Sequence, residues 1–166
     1  MLLVAASIFA LVNIRGKQEN DSKAVVPYRV GSTVREIQVA TPEGRSVTLE
    51  LAKDRFTILF FFSGTCPSCL EEGPHWYKAV ESMRDVETDF IGLTRSPHPD
   101  INSYFQESGI KFTTYWVDRE FEESFHVEYY PTLYLVNPKG VITFTSQNIP
   151  LDEGLDILKL YLARED

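Results

Sequence analysis

The chain has 166 residues, 43% of them hydrophobic and 13% aromatic, enough for one domain with a sizeable core and no disulfide staples. Its formal net charge of −8 argues against nucleic acid or an anionic membrane surface as a partner. Two cysteines are too few for a disulfide scaffold, and His75, His98 and His126 lack the spacing that would complete a zinc site with them.

The N-terminus differs in kind from the rest. Leu2 to Ile14 is almost wholly apolar, and as a helix it spans about 20 Å, short of a hydrocarbon core of about 30 Å. It reads as a marginal membrane anchor or the apolar region of a signal segment, although no Lys or Arg precedes it. Lys17 to Ala24 is polar and reads as a tether. The expected division is 1–24 for anchor or signal segment plus tether, and 25–166 for the folded domain.

Alternating residues on both sides of the Thr41–Arg45 turn predict a β-hairpin over Glu36 to Leu51. Phe56 to Phe62 is apolar on both faces, as in a central strand covered by helices. A helix is predicted from Pro67 to about Arg84, with Pro67 in its first turn and Pro74 inside it. Then come a strand over Thr88 to Leu93, a turn over Pro97 to Asp100, and a helix over Ile101 to Gly109. Thr113 to Val117 reads as a strand and Glu120 to Phe125 as one or two helical turns. Thr132 to Val136 and Val141 to Thr145 pair around the Asn137–Gly140 turn. Leu151, Leu155, Leu158 and Leu162 give the last helix one apolar face. The fold class is α/β, a mixed sheet flanked by helices.

The chemistry concentrates at Cys66-Pro67-Ser68-Cys69, between the apolar strand and the predicted helix. A helix N-terminus favours a thiolate on Cys66, and Cys69, one turn on, can attack a mixed disulfide formed there. Exchange of this kind needs no metal, flavin or nucleotide; the cysteine pair is itself the redox centre. Pro67 and Ser68 bring no positive charge or imidazole, which favours a reducing over a strongly oxidising pair. Glu72 has two readings: a proton acceptor for Cys69, or, with Glu71, a first-turn acid serving the helix dipole. Trp76, Trp116, Phe60, Phe61 and Phe62 read as core, and His75 as surface.

These residues resemble the thioredoxin-like thiol-disulfide oxidoreductases of the TlpA/ResA type over about Val30 to Leu162. The likeness rests on the strand-CxxC-helix, on Pro74 five residues after Cys69, on Tyr130-Pro131-Thr132 before a strand, and on the Gly31–Leu51 segment as an added N-terminal hairpin. It implies a thioredoxin-like fold, a cis bond before Pro131, and substrate contact at Thr65, Pro67, Ser68, Tyr130 and Pro131. It also implies membrane tethering on the extracytoplasmic (periplasmic) face, protein disulfides as substrates, a membrane dithiol donor, and uses such as cytochrome c maturation. Two positions depart from the pattern: Thr65 stands where the family has Trp, and Phe60 where thioredoxins bury Asp. Glu72 matches an acidic position of the ResA-type branch. The alternatives are a thioredoxin-fold binding module without turnover, and a peroxiredoxin-like peroxidase. For the latter, Ser63 supplies the hydroxyl but Leu59 replaces the expected proline.

Overall fold

A computed structural model describes residues 28–51, 53–83 and 85–164. The predicted 1–24 segment lies outside them. In chain order the elements are β1 (Glu36–Ala40), β2 (Ser46–Glu50), β3 (Phe56–Phe61), α1 (Pro67–Glu81), β4 (Thr88–Thr94), α2 (His98–Ser108), β5 (Thr113–Trp116), α3 (Arg119–Ser124), β6 (Thr132–Val136), β7 (Ile142–Thr145) and α4 (Leu151–Leu162).

The run Phe56–Phe62 becomes the middle of the molecule because neither of its faces tolerates water. Alternation along a strand sends Phe60 and Phe62 to one face and Leu59 and Phe61 to the other, and all four are fully buried. Phe60 and Phe62 join Trp76 and Val80 of α1, Ile101 and Tyr104 of α2, and Leu158 and Leu162 of α4. Leu59 and Phe61 join Phe125, Tyr134 and the hairpin residues Ile37 and Val39. Phe61, Phe125 and Tyr134 stack edge-on or tilted, with centroids 5.3 to 5.9 Å apart. Contacts of this kind add to the area each ring buries.

The sheet order is β2-β1-β5-β4-β3-β6-β7. β3 runs parallel to β4 and antiparallel to β6, so both neighbours cover its backbone. β4 and β5 are parallel, and β6 and β7 antiparallel. The predicted hairpin forms in full register from Glu36↔Glu50 to Ala40↔Ser46. It joins the main sheet through one antiparallel pair, Ala40↔Trp116.

Two helix boundaries shift by three residues from the sequence expectation, while other ends move by one. The helix expected from Ile101 starts at His98, because Pro97 sits at its N-cap with extended backbone and Pro99 in the first turn needs no N–H donor. α1 ends at Glu81, short of the predicted Arg84. Pro74 stays within α1, as predicted.

Candidate active site

The loop Phe62–Thr65 carries the chain from the end of β3 to the start of α1 and is tied down by hydroxyls. Ser96, buried just after β4, accepts the Gly64 N–H at 2.9 Å and donates to Ser63 Oγ at 3.2 Å. Gly64 is required here: a Cβ would stand 2.6 Å from the Asp100 backbone. The β3–α1 loop thus packs directly on the start of α2.

Cys66 caps α1. Its backbone is extended (φ −85°, ψ 118°), and its Sγ accepts the Cys69 N–H at 3.4 Å. That is the placement in which a helix N-terminus stabilises an anion. Cys66 is half-buried, Cys69 fully buried, and both are free thiols. Burial pushes the Cys69 thiol well above its ordinary value, and the hydrogen-bonded Cys66 sulfur and the Glu72 charge push the same way. The pair is asymmetric: one sulfur meets solvent, and the other holds its proton.

Behind Cys69, the buried Tyr104 of α2 donates its hydroxyl to the Cys69 carbonyl at 3.2 Å. The phenol fits because residue 73 is glycine; a Cβ there would collide with the hydroxyl oxygen. α2 therefore fixes the first turns of α1 from below.

The Tyr130–Pro131 bond is cis. The Cys66 thiol donates to the Tyr130 carbonyl at 3.7 Å, so the loop before β6 lies against the reactive sulfur. Thr65, Pro67 and Ser68 are exposed around Cys66. Beside them runs a groove of about 310 Å³ lined by Ser68, Glu72, Trp76, Tyr130, Pro131 and Gln147 among others. Larger hollows, of about 630 and 600 Å³, lie between the hairpin and α3 and at the opposite end of the sheet; neither cysteine lines them.

Glu72 corrects one expectation. No acid occupies the first turn of α1, so Glu71 and Glu72 fall in the second, where the helix dipole has largely faded. Glu71 is exposed and Glu72 half-buried. Burial raises the Glu72 carboxyl above its ordinary value; a hydrogen bond from Trp76 opposes this, while the Glu71 charge adds to it. Phe60, at the position where thioredoxins bury an acid, is fully enclosed by aromatics.

Sequence reasoning missed Glu122. It belongs to the run Glu120–Glu123, which looks like a solvated face, yet its side chain is only 7% exposed. Its carboxylate accepts the Tyr130 hydroxyl and pairs with Arg95 Nη1 at 3.1 Å. The spacing of Phe121 and Phe125 was the available signal, because it places Glu122 at the margin of the inward stripe of α3.

The AhpC/TSA family profile matches residues 30–145. No curated protein sequence matches the chain. Among solved structures it is similar to the thioredoxin domain of a thiol-disulfide oxidoreductase from Bacteroides vulgatus, with 19% identity and TM-score 0.68, covering 81% of this chain and 99% of that one. A putative thiol:disulfide interchange protein DsbE from Chlorobium tepidum gives 14% identity and TM-score 0.66, covering 80% and 96%. A secreted Mycobacterium tuberculosis disulfide oxidoreductase homologous to E. coli DsbE gives 18% identity and TM-score 0.59, covering 76% and 94%. The fold is thioredoxin-like, with an extra N-terminal hairpin.

Proposed function

We propose that this chain, which belongs to the AhpC/TSA family, is a thiol-disulfide oxidoreductase that reduces protein disulfides through Cys66 and Cys69. One observation carries the reading. A half-buried cysteine caps a helix against the Tyr130 carbonyl, and a fully buried cysteine follows one turn later.

The Cys66 thiolate attacks one sulfur of the substrate disulfide, and the other leaves as a thiolate. Cys69 gives its proton to the Glu72 carboxylate and attacks the Cys66 sulfur. The substrate's second thiolate leaves, and the protein keeps a Cys66–Cys69 disulfide. Two electrons have moved to the substrate, and a dithiol donor must return them. The exposed Thr65, Pro67 and Ser68 and the Tyr130–Pro131 backbone are the surface on which an extended substrate segment would lie.

The similarity to a thiol-disulfide oxidoreductase and a thiol:disulfide interchange protein supports the activity, and the secreted oxidoreductase supports an extracytoplasmic place. We place the protein on the periplasmic face of the cell membrane, held by residues 1–24 and recharged by a membrane dithiol, with cytochrome c maturation among its uses. Among the described residues no helix is long and apolar enough to cross a membrane. A peroxiredoxin-type peroxidase is the second reading, carried by family membership and by Ser63. That serine is bonded to Ser96, and Leu59, where proline is wanted, is buried in β3.

With dithiothreitol, the protein is expected to reduce insulin faster than dithiothreitol alone and to consume hydrogen peroxide no faster than the thiol alone. The opposite ranking would replace this reading with the peroxidase. For the location, the full chain should sediment with membranes, and a C-terminal reporter should be active only outside the cytoplasm. A reporter active inside would overturn the placement.

A further inference from the structure

We infer that Arg95 and Glu122 are positioning residues for thiol exchange: through the Tyr130 hydroxyl they hold the Tyr130 carbonyl against the Cys66 sulfur. The inference rests on the proposed activity of Cys66 and adds to it the device that sets the width of the site.

The argument starts from cost. A carboxylate taken out of water is unfavourable unless each oxygen finds a partner, and an apolar side chain would pack α3 at least as well. Phe121 and Phe125 already supply that packing. Glu122 is nonetheless buried, and its two oxygens are divided between two different segments. Oε2 stands 3.1 Å from Arg95 Nη1, and Oε1 accepts the Tyr130 hydroxyl. Tyr130 is thereby held at both ends. Its ring is anchored on α3, and its carbonyl accepts from Cys66 at 3.7 Å.

Arg95 and its neighbour explain why the anchor matters. The two residues follow β4 directly and reach opposite ways. Arg95 pairs with Glu122 and so acts on the Tyr130 loop. Ser96 accepts the Gly64 N–H at 2.9 Å and so acts on the cysteine loop. The end of one central strand thus brackets both walls of the place where a substrate disulfide must sit. Charge-assisted hydrogen bonds are the stronger kind, which suits a bracket whose outer member, Arg95, is half-exposed.

The test uses the full chain with Tyr130→Phe, Glu122→Gln and the double variant. Tyr130→Phe keeps the ring and removes only the hydroxyl, so it is the variant least prone to misfold. Each single variant is expected to raise the KM for insulin about fivefold or more. With a small disulfide, 5,5′-dithiobis(2-nitrobenzoate), which needs no docking on the Tyr130 loop, the reaction of Cys66 should not slow and should rise along with alkylation. The double variant should be no worse than the poorer single one, because Tyr130→Phe removes the hydroxyl and Glu122→Gln removes the charge of one and the same Arg95–Glu122–Tyr130 link. Alkylation of Cys66 by iodoacetamide at fixed pH should be about threefold faster in the variants, since the thiol loses its carbonyl partner. Unchanged KM and unchanged alkylation, with only a lower Tm, would reduce the pair to a structural role and overturn the inference. So would additive effects in the double variant. If the parent protein fails to reduce insulin, the proposed function falls, and the alkylation comparison alone decides whether the bracket holds.

Discussion

Cys66→Ser is expected to bring insulin reduction down to the dithiothreitol background, and Cys69→Ser to stall the protein in a covalent complex with its substrate. The two outcomes differ because the sulfurs have different surroundings. Cys66 caps α1, reaches solvent, and is the only one of the pair that a substrate disulfide can approach. A serine oxygen there cannot form the mixed disulfide, so no first step occurs. Cys69 is fully buried and its proton tightly held. Replacing it leaves the first attack intact and removes the second, so Cys66 stays joined to the substrate. Mass spectrometry of Cys69→Ser mixed with an oxidised protein substrate should show a one-to-one adduct that dithiothreitol dissolves. Full activity in Cys66→Ser, or an adduct carried on Cys69, would reverse the assignment.

Glu72→Gln is expected to slow the resolving step about 10- to 100-fold near neutral pH, at the low end of what one general base contributes. Cys69 must lose a proton that burial makes hard to lose, and Glu72 is the half-buried carboxyl whose charge reaches it. The sign follows from the two shifts. Below the raised value of Glu72 the carboxyl is protonated and cannot accept, so the parent's rate should climb as pH rises through that value. The glutamine variant should lack this climb. The Glu72 charge also helps hold the Cys69 proton, so in Glu72→Gln the Cys69 titration should move down, a change that by itself would ease the resolving step, so any slowing comes from the lost acceptor. Thermal stability should be nearly unchanged, because the side chain is only half-buried. Equal rates across pH, with both thiol titrations unmoved, would leave water as the base.

Much of the site could be read from local sequence because the signals there are local. An apolar strand running into Cys66-Pro67-Ser68-Cys69, with proline in the first helical turn, admits few other geometries, and α1 begins at Pro67 as predicted. The final helix, from Leu151 to Leu162, follows directly from the spacing of its leucines. The start of α2 was misread because Pro97 and Pro99 look like a turn from sequence. Proline forbids helix interiors but suits helix starts, and the packing of Gly64 on Asp100 helps hold the start here.

Local pattern determined the identity of the redox pair, the strand between two apolar layers, and the helix that Cys66 caps. Each depends on residues within a few positions of one another. The tertiary structure alone decided what surrounds the pair. Cys69 owes its held proton to burial in a core that strands and helices far apart in the chain build together, and Tyr104 reaches its carbonyl across 35 positions. Glu122 looks in sequence like any acid of an exposed helix. It becomes an internal anchor only because the fold brings Arg95, 27 positions earlier, and Tyr130, 8 positions later, to its two oxygens. Hydrogen bonds between distant segments leave no periodicity in the chain, so burial of a charge shows only once the layers have closed over it.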